Sequence, residues 1–411
     1  MKAFLFILLA CLVSVCLGGD GVTAHFTFGL WPPTIEPLIV ADHLGWVRDD
    51  VLWYNMEKSK GVYQQDPEWE RVASTADQQG LAVIGNIGNN TLYSDSYDPV
   101  AYAAFAKWFA QDMLRHPSVK AIEITNEPNN HYAQTEGSNW HALYTTLLEM
   151  AYSAIKSVRP DMIVVGGGGA NDGDIEYFQT HGANKSADAW SWHPYPNSQS
   201  DYDGSSFISF VNHRRAFSLA AEASLREFDT EWGYAWTRDP TYFARRIVLN
   251  HALGIEVNCI YEIVDESGSN GNFGLLTTSL TKNPAYDVVG NTISILDGLK
   301  PGTQEAASAN SPGYTYGFDS PDGSRSAVAW WDGGGYWITT TRTCTISWKH
   351  PNAGAVSMFD PATGATTPLP WHTLSTDPTI VVADVPTGVA VKFLIIQSAL
   401  APAAPTNLHT I

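Results

Sequence analysis

The chain has 411 residues, 44% of them hydrophobic and only 16% charged, which is ample for a buried core and excludes intrinsic disorder. A net charge of −19, from 42 acidic against 23 basic residues, repels nucleic acids and anionic membranes, both of which call for basic patches. A neutral or cationic substrate is easier to accommodate, and 15 Trp, 18 Tyr and 16 Phe supply flat rings either for a core or for the apolar faces of sugars.

In chain order, residues 1–19 read as a secretory signal: Lys2, an apolar run from Ala3 to Leu17, and small residues at Ser14, Gly18 and Gly19. No stretch reaches the roughly 20 apolar residues of a membrane span, so a secreted or periplasmic protein is expected. From Thr23 onward, β-branched strands alternate with helical segments. The strands are His25–Leu30, Trp46–Leu52, Ala82–Ile87, Ala121–Asn126, Met162–Gly166, Ala189–His193, Leu225–Glu231 and Glu256–Ile263. Between them fall amphipathic stretches such as Pro67–Gln79, Pro99–Arg115, Trp140–Val158 and Thr241–Leu253. Asp66-Pro67 and Asp98-Pro99 place a capping carboxylate ahead of a proline at the first helical position. Eight such units make a parallel sheet closed into a (β/α)8 TIM barrel over residues 20–299.

Beyond Leu299 helical periodicity stops. Short strand-like runs, punctuated by Asp322-Gly323, Asp332-Gly333 and Thr363-Gly364, predict a smaller antiparallel β-sandwich over residues 300–398. Residues 399–411 are an Ala/Pro-rich tail expected to fray. Of four cysteines, Cys11 and Cys16 lie in the leader; Cys259 and Cys344 make no disulfide framework and are expected as buried thiols.

Chemistry concentrates at two strand ends. The fourth strand runs into Asn126-Glu127-Pro128 and the seventh into Thr230-Glu231-Trp232-Gly233. Strand C-termini face the mouth of a barrel, so Glu127 and Glu231 can flank one bond from opposite walls, which is what acetal cleavage by a carboxylic acid and a carboxylate needs. Glu227 and Asp229 share the parity of Glu231 and are expected deeper in the barrel. Glu123 shares a face with Glu127 and suits a buried partner of Arg48. Trp53, Trp232 and Trp236 fit sugar platforms and core packing equally. The Gly166–Gly169 run lacks a following Gly-Lys-Ser/Thr and reads as the fifth barrel loop, not a phosphate cradle.

These motifs resemble those of the clan of retaining (β/α)8 glycosidases that includes cellulases, β-mannanases, β-xylosidases and bacterial exopolysaccharide hydrolases. The stretch Trp46-Val47-Arg48-Asp49-Asp50-Val51 with Trp53, Glu57, Gly61 and Tyr63 is similar to that clan's second-strand motif. Trp192-His193-Pro194-Tyr195 is similar to its sixth, and Tyr261 to Asp265 to its eighth. The Met358-Phe359-Asp360-Pro361 and Thr363-Gly364 segments resemble the small domain beside many such barrels. Within the clan the chain most resembles glycoside hydrolase family 39 and its exopolysaccharide-hydrolase relatives.

The resemblance implies Glu127 as acid/base, Glu231 as nucleophile, Asn126 as donor to the sugar 2-hydroxyl, Arg48 as the cation beside Glu231, and His193 and Tyr195 as site lining, with Trp53 and Trp232 as candidate platforms. It implies a secreted enzyme cleaving β-linked carbohydrate with retention, endo action favoured, without metal or organic cofactor. Glu127 would need an apolar neighbourhood to keep its proton. The alternatives are a non-catalytic carbohydrate-binding barrel or a transglycosylase using the same pair.

Overall fold

The computed structural model describes residues 19–88, 98–130, 132, 137–169, 171–195, 205–234, 240–265, 272–302, 307–309, 313–332 and 342–399. Eight parallel strands form the barrel: β1 (Gly19–Thr23), β2 (Trp46–Val51), β3 (Ala82–Ile87), β4 (Val119–Ile124), β5 (Ile163–Gly166), β6 (Ala189–Trp192), β7 (Glu227–Trp232) and β8 (Val257–Ile260). Because β1 pairs with both β2 and β8, the ring closes. Eight helices alternate with the strands: α1 (Pro32–Ala41), α2 (Pro67–Gln79), α3 (Pro99–Asp112), α4 (Trp140–Lys156), α5 (Asp172–Thr180), α6 (Ser205–Ala220), α7 (Thr241–Leu253) and α8 (Pro284–Leu296). The two caps form as the sequence predicts: Asp66 accepts from Glu68 N at 3.1 Å and Asp98 from Val100 N at 2.9 Å.

The first strand is not where its composition places it. His25–Leu30 is a turn built on a short 3-10 helix, Phe26–Phe28, and Gly19–Thr23 takes the strand position with Gly19 opposite Val257. Phe-Thr-Phe has the stronger β-propensity, but the pairing partners of β1 reward Val22 and Thr23, and Gly29 closes the turn. Gly19, the last residue of the expected leader, therefore belongs to the barrel; residues 1–18 lie outside the described ones, as do residues 400–411. Among the described residues, no helix is long and apolar enough to cross a membrane.

Inside the barrel the lowest layer is apolar, with Trp46, Ile84, Ala121, Val165, Phe228 and Cys259 in contact. A larger apolar cluster fills the space between strands and helices and continues into the C-terminal domain through Phe318, Trp331 and Phe393. That domain pairs a six-stranded antiparallel sheet with a four-stranded one. Its own core holds Trp330, Cys344, Ile346 and Trp348. Cys259 and Cys344 are both free and buried, one in each domain.

Candidate active site

Above the apolar layer the barrel carries a buried polar one, centred on Glu123 of β4. Its Oε2 accepts from Arg48 Nε at 2.6 Å, and its Oε1 accepts from Ser191 Oγ at 2.7 Å and Thr230 Oγ1 at 2.6 Å. Burial is the largest single influence and pushes this carboxyl toward protonation, but the Arg48 charge, helped by His193 and by the Thr230 and Ser191 hydroxyls, holds its pKa below the usual value. Arg48 spends its other nitrogens one level higher. Nη1 donates to Glu231 Oε2 at 3.2 Å and Nη2 to Asn126 Oδ1 at 2.7 Å. One guanidinium thus ties the floor of the site to both strand ends that carry the candidate carboxylates. Only an oxygen can face that donor, so the donor left on Asn126 is Nδ2.

Glu231 reaches the mouth through an irregularity. Asn258 and Ile260 of β8 lie opposite Asp229 and Trp232, so Thr230 and Glu231 together face the single residue Cys259. This bulge lets two successive side chains point inward. It also overturns the expectation for Glu227 and Asp229, which do not lie below Glu231 inside the barrel. Both point outward to the helices, Glu227 to Arg215 of α6 and Asp229 to Arg246 of α7 at 3.0 Å.

Glu127 is held by strain and by the glycine loop. Thr125 and Glu127 both have left-handed backbones, at φ 64° and φ 44°. Tyr102 Oη accepts from Thr125 N at 3.1 Å, and Gly168 O accepts from Glu127 N at 2.6 Å, which fixes the peptide despite the cost. Gly168 is positioned in turn by Ser191 Oγ, which accepts its N–H at 3.0 Å. Gly169, at φ +89°, runs so close that a Cβ there would lie 2.5 Å from His193 Nδ1 and 3.0 Å from Glu127 Cγ. The glycine run read as an ordinary loop is the shelf on which the candidate acid rests. Gly169→Ala is expected to lower kcat by roughly 10- to 100-fold by displacing this pair. Steady-state kinetics alongside a melting curve will separate that loss from unfolding.

His193 bridges the two carboxylates. Its Nδ1 lies 3.2 Å from Glu127 Oε1 and 3.6 Å from Glu231 Oε2. One oxygen of each carboxylate and a ring nitrogen of His193 all fall within 4.8 Å of one another. Tyr195 Oη donates to Glu231 Oε1 at 2.6 Å, and Asn130 Nδ2 donates to Glu127 Oε2 at 2.7 Å. Burial opposes charge on His193, but Glu231 and the bond to Glu127 outweigh it and raise its pKa. The His193 hydrogen bond, acting against burial, lowers the pKa of Glu127. The expected apolar setting for Glu127 is therefore absent: its carboxylate is bonded by the Asn130 amide and by the cation-forming ring of His193. The Tyr195 phenol is pushed up by burial and by Glu231, so it remains a donor. The Glu127–His193–Glu231 triplet has ligand spacing for a cation, but Arg48 at 3.2 Å from Glu231 and the raised His193 pKa oppose one electrostatically.

Of the other sequence candidates, neither tryptophan within the described residues is a platform. Trp53 is fully buried, stacked on Phe105 at 4.5 Å. Trp232 is fully buried against Phe243 at 5.8 Å, because the bulge turns Glu231 in and leaves its neighbour facing α7. Trp236 lies outside the described residues. Missed by sequence reasoning are His25, Asp50 and Asn86, which line the far side of the mouth. His25 Nδ1 lies 3.1 Å from Asp50 Oδ2, Asn86 Nδ2 donates to Asp50 Oδ1 at 2.7 Å, and the His25 ring meets Tyr261 edge-on at 5.5 Å. Burial opposes its charge, yet Asp50 prevails and lifts the His25 pKa to about 9. The available signal was parity: on a barrel strand Arg48 and Asp50 share a face.

No family model and no curated protein matches the sequence. Solved structures do. A family 39 glycoside hydrolase from the gut symbiont Bacteroides cellulosilyticus WH2 aligns with TM-score 0.69 at 19% identity, over 93% of this chain and 82% of that one. A family 30 subfamily 8 xylanase from Clostridium acetobutylicum aligns with TM-score 0.64 at 16% identity, over 92% of this chain and 96% of its own. A monomeric β-xylosidase from Caulobacter crescentus CB15 gives TM-score 0.64 at 14% identity, over 94% and 97% of the two chains. The likeness to family 39 read from the motifs is thus met by the fold: a (β/α)8 barrel with a C-terminal β-sandwich.

Proposed function

We propose that the chain is a secreted glycoside hydrolase that cleaves a β-linked carbohydrate with retention of configuration, Glu231 acting as nucleophile and Glu127 as acid/base. One observation carries the reading. Carboxylate oxygens of Glu127 and Glu231 lie within 4.8 Å of one another across the barrel mouth. A pair about 5–5.5 Å apart suits direct attack on the anomeric carbon, whereas inversion needs a wider gap for water. The surroundings of the two groups divide the labour. Glu231 faces Arg48 and Tyr195, donors that aim its carboxylate, and Glu127 shares a proton-bearing contact with His193.

In the free site the proton of the Glu127–His193 pair rests on His193. A sugar over Glu127 removes water from that carboxylate, which favours its neutral form and draws the proton across to where the leaving oxygen needs it. Asn126, oriented by Arg48, presents Nδ2 to the 2-hydroxyl. Endo action is supported by Phe28, which stands 60% exposed on the loop after β1 and meets His25 edge-on at 5.8 Å. Secretion is supported by the apolar leader.

Incubation with 2-deoxy-2-fluoro-glycosyl fluorides of the glucose, xylose and mannose series tests the reading. A covalent adduct on the peptide carrying Glu231 is the expected result, and its absence with every sugar, or its appearance elsewhere, counts against it. The His193 role predicts a pH effect. With His193 present, its raised pKa keeps the shared proton bound toward higher pH; in His193→Asn only the Glu127 carboxyl can hold it. The alkaline limb of kcat/KM should therefore move down by about one pH unit or more, read from a full pH–rate profile.

A further inference from the structure

We infer that Tyr102 and Tyr144, two phenols between the barrel wall and its helices, are positioning residues for Glu127, because together they clamp the peptide from which its loop departs. The inference rests on the glycosidase reading and deepens it, from which group is the acid to what holds the acid in place. Each tyrosine stands near the start of the helix that follows a strand, Tyr102 on α3 after β3 and Tyr144 on α4 after β4. Each reaches back to the last carbonyl of that strand and across to the first N–H beyond the next one. Tyr102 Oη donates to Ile87 O at 2.6 Å and accepts from Thr125 N at 3.1 Å. Tyr144 Oη donates to Ile124 O at 3.0 Å and accepts from Gly167 N at 2.9 Å.

The two sets of bonds meet on one peptide. Ile124 O and Thr125 N belong to the same planar unit and point to opposite sides of it, so Tyr144 holds its carbonyl and Tyr102 its N–H. That peptide is fixed against rotation, and the chain runs from it to Glu127 through the left-handed backbones of Thr125 and Glu127 itself. Backbone of that kind persists only where its surroundings over-determine it. Tyr144 secures a second support as well. The Gly167 N–H it accepts leads into Gly168, whose carbonyl accepts from Glu127 N. Both phenols are fully buried, and burial pushes their pKa values up, so they remain donors. A phenol donates and accepts through one atom; phenylalanine would fill the same space and hold neither group.

Leaving-group dependence separates positioning from stability. A dinitrophenolate departs without a proton, whereas a phenolate needs one from the acid, so a misplaced Glu127 slows cleavage of the second and spares the first. Tyr102→Phe, Tyr144→Phe and a control, Tyr286→Phe, are compared on phenyl and dinitrophenyl β-glycosides of the glucose, xylose and mannose series. Tyr286 is also buried, but its phenol donates to Leu38 O between α8 and α1. Tyr144→Phe should lower kcat/KM on the phenyl glycoside by roughly 10- to 100-fold and on the dinitrophenyl glycoside by less than about 3-fold. In Tyr102→Phe, Thr125 N keeps its bond to Ile87 O at 3.0 Å, so the same asymmetry is expected at smaller size, and this variant carries the test if Tyr144→Phe does not fold. Tyr286→Phe should lower the melting temperature with no asymmetry. Equal losses on the two glycosides, or no loss beyond that of Tyr286→Phe, would overturn the inference while leaving the glycosidase reading standing. A wild-type protein that turns over none of these glycosides would overturn that reading and this inference with it.

Discussion

Replacing Glu231 by Ala is expected to lower kcat on a β-glycoside by a factor on the order of 10⁴–10⁶, because in the proposed mechanism the residue supplies the attacking atom itself and not only binding. The fold should survive. Glu231 lies at the mouth with its side chain 12% exposed, and Arg48 keeps its bonds to Glu123 and Asn126 without it. An unfolding midpoint within about 3 °C of the parent is the companion expectation. Added azide separates nucleophile from acid. In Glu231→Ala the anion can enter from the vacated face and displace the leaving group, giving an α-glycosyl azide. In Glu127→Ala it can only intercept the glycosyl-enzyme, giving the β-azide. Product anomers opposite to these would exchange the two roles, and full activity in Glu231→Ala would remove the proposed mechanism altogether.

How much of this was legible in the sequence depends on the range of the determining contact. Helices α2 and α7 begin and end where local chemistry says, since Asp66-Pro67 and the glycines after Gln79 and Leu253 act within one turn. Both carboxylates were legible because a strand end followed by Pro or by an aromatic and Gly is a local pattern. The outward turn of Glu227 and Asp229 was not, because the bulge that reverses their parity arises from pairing with β8, far along the chain. For the same reason Trp232 looked like a platform: which side of the wall it takes is settled by the residue before it. The glycine run was visible but uninterpretable until the fold brought Gly168 under Glu127 and Gly169 against His193. The pKa setting of Glu127 was inverted by one neighbour, His193, that no spacing rule places next to it.

Arg48 offers the sharpest test of the buried polar layer. Arg48→Met should destabilise the protein by about 3–5 kcal/mol, because it strands Glu123 as an uncompensated charge in a site with no exposure. It should also cost activity, since Glu231 and Asn126 lose the donor that aims them. The double variant Arg48→Met with Glu123→Gln removes the stranded charge while Ser191 and Thr230 can still donate to the amide oxygen, so most of the stability should return and the activity should not. The pH dependence follows with a definite sign. In the parent, Arg48 together with His193, Thr230 and Ser191 overcomes burial and lowers the Glu123 pKa, so this carboxylate adds stability above its unfolded pKa and loses it as pH falls through the folded value. In Arg48→Met burial loses its largest opponent and moves that pKa up, so the deficit should be widest at neutral pH and narrow toward pH of about 4 as Glu123 takes up a proton. Urea unfolding of the four proteins of the cycle at both pH values reads all of this. A deficit independent of pH, or a double variant no more stable than Arg48→Met alone, would mean that Arg48 stabilises the barrel by packing and not by its charge.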